Sequence, residues 1–208
     1  MDRLIAHGVT NIVVNVHHLG ERIAECLKGR AQIVHEERLL GTGGSVMRAL
    51  PRLGNGPFFV LNGDGLWRER SGTMLERLEM KWASTRMDAL LLLHPIHKVI
   101  GREATDRGDF FIERGDRVRH RGMASLAPYV FASASVCDAR LFEDSPEGPF
   151  SLMKLWNLAE ARGRLFGVVN DGDWFQIRTP EALVEANGVM TYDNRNEQQA
   201  NIAAAGVL

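Results

Sequence analysis

Cysteine is scarce in this chain: Cys26 and Cys137 are the only two in 208 residues, too few for a disulfide framework. Each falls among apolar neighbours and is expected to be a small core residue, which suits a reducing cytoplasm. No apolar run approaches the ~20 residues needed to cross a bilayer, and no basic segment with an apolar stretch behind it stands at the start. A soluble, cytoplasmic protein with no membrane partner is expected. Nor does charge of either sign dominate, since 25 Lys and Arg stand against 26 Asp and Glu for a net charge of −1. With no global attraction for polyanions, nucleic acid is not an expected partner. The seven histidines include His17-His18 and His94 with His97, but neither pair is joined by the further ligands that a zinc site requires. What is left is 45% hydrophobic and 25% charged, ordinary for one globular domain with its own core.

The apolar pattern alternates between strand and helix. Met1 to Ala6 reads as a helix end stopped at Gly8, Ile12 to Val16 as a β-branched strand, and Leu19, Ile23 and Leu27 repeat at helical spacing up to Gly29. Gln32 to His35 is a short strand, Ser45 to Leu50 a helix stopped by Pro51, and Phe58 to Asn62 an apolar strand. Met74, Leu75, Leu78 and Trp82 form a further helical stripe, and Asp88 to His94 suits a strand buried on both faces. Parallel strands with crossover helices follow from this order. After Pro95 the texture changes: Phe110 to Ile112 and Arg117 to Arg119 flank a turn as an exposed hairpin, and Tyr129 to Phe131 opens a strand running to Val136. Ser151 to Arg162 is a predicted helix with Ser151 as N-cap and Leu152, Leu155 and Leu158 inward. Leu165 to Val169 and Trp174 to Ile177 are strands, and Thr179 caps a helix whose first residue is Pro180. Residues 1–192 are expected to form the domain and 193–208 a polar, mobile tail.

Two motifs carry chemistry. Leu39-Leu40-Gly41-Thr42-Gly43-Gly44-Ser45 is a Gly-rich turn entering a helix, where bare N–H groups could approach a ligand closely; Thr42 as a plain N-cap is the alternative. Phe58 to Leu61 then leads into Asn62-Gly63-Asp64-Gly65, a buried strand ending in a carboxylate. Ligands of open α/β sheets sit at the carboxyl ends of strands, so Asp64 stands where a phosphate-bound Mg²⁺ needs a hard oxygen; a turn aspartate before glycine is the plain reading. The tryptophans Trp67, Trp82, Trp156 and Trp174 are expected to pack in the interior.

In order and spacing these motifs, with Gly8 to Asn15, Gly108-Asp109-Phe110, Gly148 to Leu152 and Thr179 to Leu183, resemble the sugar nucleotidyltransferases, most closely the small N-acetylmuramate-1-phosphate uridylyltransferase type. The resemblance implies an α/β, Rossmann-like fold with a mostly parallel sheet between helices and a small hairpin lobe for the sugar. It implies an enzyme that joins a nucleoside monophosphate from a nucleoside triphosphate, UTP, to a sugar 1-phosphate, N-acetylmuramate 1-phosphate, in cell-wall sugar recycling. Mg²⁺ is the implied cofactor. By resemblance Asp64 is the catalytic metal ligand, with Gln176 at the position of a second ligand; Glu36, Thr42, Gly43 and Gly44 hold the nucleotide, and Asn62, Gly108, Asp109 and Ser151 the sugar phosphate.

The sequence also departs from the family pattern. Gln176 stands where an aspartate is usual, Arg178 and Ser133 where glycines are usual, and Gly41 where an acid precedes Thr-Gly-Gly. The first strand and the glycine- and arginine-containing phosphate loop of the family have no counterpart in these residues. Little turnover is therefore expected, and Ile12–Val16 and Phe58–Asn62 are expected to show a gap or to pair directly, with self-association through the incomplete sheet as one outcome. The alternative function is an inactive remnant or a regulatory module that binds sugar nucleotides.

Overall fold

The computed structural model describes residues 1–100 and 106–191, so the tail expected over 193–208 lies outside the described residues. The first half contains α1 (Asp2–Ala6), β1 (Val13–Val16), α2 (Gly20–Leu27), β2 (Gln32–His35), α3 (Gly41–Leu53), β3 (Phe58–Leu61), β4 (Gly65–Arg68), α4 (Met74–Lys81) and β5 (Ala89–Pro95). The second contains β6 (Phe110–Ile112), β7 (Val118–His120), β8 (Tyr129–Cys137), α5 (Met153–Ala161), β9 (Leu165–Val169), β10 (Asp173–Gln176) and α6 over residues 180–191.

The centre is β5, whose Ala89-Leu90-Leu91-Leu92-Leu93 run is wholly buried. Side chains alternate across a strand, so Leu91 and Leu93 join Leu155, Trp156 and Ala159 of α5 on one face, while Leu90 and Leu92 meet Met74, Leu75 and Leu78 of α4 on the other. Each buried leucine contributes about 1.5–3 kcal/mol, so a charge anywhere in this run would break the fold. Helix α4 starts at a capping box in which Thr73 accepts from Glu76 N and Glu76 accepts from Thr73 N. Strand β9 pairs parallel with β5, while β8 pairs antiparallel with both β5 and β3, so β3, β5 and β9 share one direction. This is the expected α/β arrangement, with β8 and β7 as the reversed strands.

Strand β1 pairs in parallel with β2, and among the described residues no ladder joins β1 to β3. The expected irregularity is thus a gap rather than direct pairing. Strand β4, not anticipated from the pattern, forms its own antiparallel pair with β10.

Several local expectations are corrected. Helix α3 begins at Gly41 and runs through Pro51, which sits in the last turn, where a missing N–H forfeits one bond; Gly54, at φ +85°, follows its end. The hairpin β6–β7 belongs to the main sheet, and its Phe110 and Val118 are buried against α5 rather than exposed. Along α5, Leu158 is exposed and Trp156 and Ala159 take the inner positions, because the buried face follows Leu152, Leu155, Trp156 and Ala159. Helix α2 buries only Gly20, so Ile23 and Cys26 face outward, contrary to the core role expected of Cys26. Cys137 is in the core, where burial pushes its thiol up to about 12. No helix among the described residues is long and apolar enough to cross a membrane.

Candidate functional site

Opposite the middle of β5 the β8 strand bulges. Between the pairs Leu91–Ser135 and Leu93–Phe131, Leu92 alone faces Ala132, Ser133 and Ala134. The bulge turns β8 through Ser133, at φ +61°, and opens a cavity of about 390 Å³. Asn62, Asp109, Ser133, Trp156, Trp174 and Gln176 are among its lining residues. The exposed cations Arg107 and Arg178 line it as well, and Arg121 is fixed there by bonds from its guanidinium to the carbonyls of Gly108 and Ala124.

Asp64 lies in the turn joining β3 to β4, and β10 closes over that turn as Ile177 N donates to Asp64 O at 2.8 Å. The register of β4 and β10 sets Gln176 opposite Gly65 and so beside Asp64. One carboxylate oxygen, Oδ2, lies 3.4 Å from Gln176 Nε2, while Oδ1 is buried without a hydrogen-bond partner. An orphaned anionic oxygen fits a divalent cation, and rotation of the Gln176 amide would turn its carbonyl toward the same point. Among the described residues no group of three or more His, Cys, Asp or Glu is placed to hold a metal, so the site would be open, as Mg²⁺ sites completed by substrate phosphates are.

The sugar-side residues separate into two groups. Asn62 and Asp109 line the cavity with Gly108, where φ is +71° and an added Cβ would lie 2.1 Å from Ala127 O, so only glycine fits. Asp109 Oδ2 accepts from Phe131 N at 3.0 Å, which pins the carboxylate to the start of β8. Ser151 is exposed, and its hydroxyl accepts from Met153 N at 3.3 Å, so it acts as a cap one residue ahead of the position expected, Leu152 being the N-cap.

On the nucleotide side, the expectation of bare N–H groups at Gly43 and Gly44 is corrected. Both donate to Phe150 O, at 2.9 and 3.2 Å, and an added Cβ at Gly43 would meet the Phe150 ring at 2.2 Å. Gly43 admits the Phe150 ring, while a Cβ at Gly44 would crowd Leu40 Cβ at 3.0 Å and Gly148 O at 3.2 Å. Thr42 is not the N-cap of α3, which is Leu40; its hydroxyl accepts from Leu152 N and ties α3 to α5. Glu36 is buried, with Oε1 accepting from Asn15 and Oε2 facing Leu40 N. Beside this turn a second cavity of about 510 Å³ is lined by Glu37, Arg38, Leu40 and Arg48.

Residue patterning did not single out Arg38, Arg48, Arg107 or Arg121, because isolated surface arginines carry no spacing signal. His94, set aside in the sequence as a metal ligand, is wholly buried at the end of β5 with Nδ1 3.4 Å from Asn170 Nδ2 and, among the described residues, its Nε2 without a partner. Burial holds its pKa below the ordinary value. Trp174, whose ring centroid lies 6.1 Å from that of His94, does pack in the interior as expected, but it also forms a cavity wall.

No family model matches the chain. It is 34% identical over 195 residues to N-acetylmuramate alpha-1-phosphate uridylyltransferase from Caulobacter vibrioides, covering 89% of this chain and 80% of that one. Among solved structures, HddC from Yersinia pseudotuberculosis superposes with a TM-score of 0.67 at 19% identity, covering 89% of this chain and 81% of that one, and its complex with GMP-PN gives 0.66. The inositol-1-phosphate CTP transferase from T. maritima gives 0.64 at 17% identity, covering 86% and 74%. These structural likenesses bear on the fold.

Proposed function

From the chain's membership of the sugar-1-phosphate nucleotidyltransferases, we propose that it transfers the uridylyl group of UTP to N-acetylmuramate 1-phosphate and releases pyrophosphate. The observation that carries the choice of substrates is the 34% identity, across most of both chains, to the uridylyltransferase that bears that name. The site geometry supports the general chemistry. In such a transfer the sugar phosphate oxygen attacks the α-phosphorus in line, so no protein nucleophile is needed and the protein's work is positioning and charge. Asn62, Gly108 and Asp109 would orient the sugar phosphate in the cavity, and Ser151 would meet it from the start of α5. Thr42, Gly43 and Gly44 would hold the nucleotide through the shape of the turn they form under Phe150, with Glu36 bracing that turn from beneath. Arg38 and Arg48 add positive charge beside it. Asp64, with the Gln176 carbonyl, would hold Mg²⁺, which when bound offsets the negative charge gathering on the phosphoryl oxygens.

Pyrophosphate release with UTP and N-acetylmuramate 1-phosphate, run against the other three nucleoside triphosphates and against glucose 1-phosphate, tests the proposal. Preference for UTP with N-acetylmuramate 1-phosphate is the expected result. A preference of tenfold or more for another pair would refute these substrates while leaving the enzyme class intact.

A further inference from the structure

Three arginines line the cavity, and they are held differently. Arg107 and Arg178 are exposed, whereas Arg121, just past β7, is half-buried and bonded through its guanidinium. Its Nε donates to Gly108 O at 2.9 Å and its Nη1 to Ala124 O at 2.8 Å, while its backbone N donates to Asp109 O at 2.6 Å. These bonds fix the plane of the guanidinium and leave Nη2 without a partner among the described residues. Arg119, Arg140, Arg162 and Arg164 each pair with a carboxylate at 2.7–3.0 Å, but Arg121 pairs with none among the described residues. Asp109 lines the same cavity, yet its Oδ2 is taken by Phe131 N. A guanidinium already ordered by two carbonyls, with a donor edge left at a cavity, suits a planar anion from outside the protein, because its fork of N–H groups matches a carboxylate and little further freedom is lost.

Arg178 follows Gln176 on the wall that β10 carries to Asp64, whereas Arg121 stands on the wall of the β6–β7 hairpin. N-acetylmuramate 1-phosphate carries two separate anions: the phosphate on C1 and, on the oxygen of C3, a lactyl group that ends in a carboxylate. We propose that Arg121 selects the acceptor, its free guanidinium edge binding that lactyl carboxylate while the phosphate lies toward Asp64 and Gln176. The inference rests on the reading of N-acetylmuramate 1-phosphate as the acceptor. A sugar 1-phosphate without the carboxylate leaves the ordered guanidinium unpaired and is rejected for that reason.

The test is direct binding to the full chain, followed by the fluorescence of Trp156 and Trp174 in the cavity wall. N-acetylmuramate 1-phosphate, its lactyl amide, and N-acetylglucosamine 1-phosphate, which lacks the lactyl group, are titrated separately into the wild type and Arg121→Gln. The wild type is expected to bind the acid about 10- to 100-fold more tightly than the amide, the range of a charge-assisted pair, and Arg121→Gln to bind the two within about twofold of each other. Affinity for N-acetylglucosamine 1-phosphate should be the same in both proteins, whereas a merely structural role of Arg121 in the hairpin would lower it. Equal binding of acid and amide by the wild type, a measurement that needs no variant to fold, overturns the proposal. So does an Arg121→Gln protein that binds all three sugar phosphates more weakly by the same factor. Pyrophosphate release with UTP reports on the acceptor separately. Turnover of N-acetylmuramate 1-phosphate beside equal binding of acid and amide removes Arg121 and keeps the acceptor; turnover of N-acetylglucosamine 1-phosphate in its place removes the acceptor and the proposal with it.

Discussion

The two ends of β5 treat buried polar groups in opposite ways. At the amino end Asp88 is nearly enclosed, and its Oδ1 accepts from Arg140 Nε and Arg164 Nε, each at 2.7 Å. Its backbone is used as fully, with N donating to Arg164 O and O accepting from Asp138 N. The arginines continue the network to the carbonyls of Ser84, Thr85 and Met87. Around the carboxyl end, Asp64 Oδ1, His94 Nε2 and Trp174 Nε1 are buried without a hydrogen-bond partner among the described residues. Unsatisfied groups cost free energy, so one end is built to close the sheet and the other holds hydrogen-bonding capacity that the fold does not use.

Removing the charge at the open end should hurt function most and stability least. Asp64→Asn keeps the shape but deletes the anionic oxygen that has no protein partner. Turnover is expected to fall on the order of 10²–10³-fold, and nucleotide affinity to lose its dependence on Mg²⁺, while the melting temperature stays within about 1 °C. Pyrophosphate release and Mg²⁺ titrations of UTP binding measure this. Equal Mg²⁺ dependence in both proteins would remove Asp64 from the metal site.

Asp88→Asn inverts that outcome. Two guanidinium groups lose a shared carboxylate, and because both retain carbonyl partners and some exposure the cost is about 2–3 kcal/mol, at the low end for a broken buried pair. Thermal melting should drop by roughly 5–10 °C with KM unchanged. The pH dependence follows from the lowered pKa of Asp88: burial alone would raise it, but the hydrogen bonds from Arg164 and Arg140 outweigh that. Its contribution is therefore complete above the ordinary value of 3.8 and lost as pH falls through the lower folded value. The gap in melting temperature between wild type and variant should close below that pH.

These ends differ too in how far they could be read from sequence. The Ala89–Leu93 run and the Met74, Leu75, Leu78 stripe announce a strand covered on both faces and one helix that covers it, because burial forces apolar residues at fixed periods. Asp64 was legible from its place after an apolar strand. The Asp88 clamp was not, since Arg140 and Arg164 reach it from 52 and 76 residues away with no local pattern. The same holds for Gly43 and Gly44, whose bare N–H groups invited a ligand reading but are taken up by Phe150 O, more than a hundred residues on. Glu36, one of two adjacent acids in the sequence, is buried because β1 supplies Asn15 as a donor.

Gly43→Ala tests that reassignment. The new methyl must displace the Phe150 ring, so stability should fall by about 1–3 kcal/mol even with no nucleotide present. Thermal melting of the free protein measures it. A variant that melts with the wild type but loses UTP affinity would return the glycine to the ligand.

The smallest effect belongs to His94, at the open end yet wholly enclosed. Burial is the main cause of its lowered pKa; the Lys98 backbone and the Asp173 charge favour the charged form, and the charges of Lys98 and His97 oppose it. A histidine depressed in the folded state stabilises fully above its ordinary value of 6.5, and the contribution is lost as pH falls through the lower folded value, since the unfolded chain then binds the proton more readily. Between pH 6.5 and 5.5 wild type should therefore lose stability faster than His94→Gln, by at most about 1.4 kcal/mol per pH unit. Asp88 titrates well below this window, so the two ends can be followed separately in one series of melts. The imidazole carbon resonances of His94 in the wild type give a second reading and should titrate below the ordinary value. If they titrate at the ordinary value, the partnerless Nε2 is reached by solvent and the open end is less sealed than the clamp at the other end of the strand.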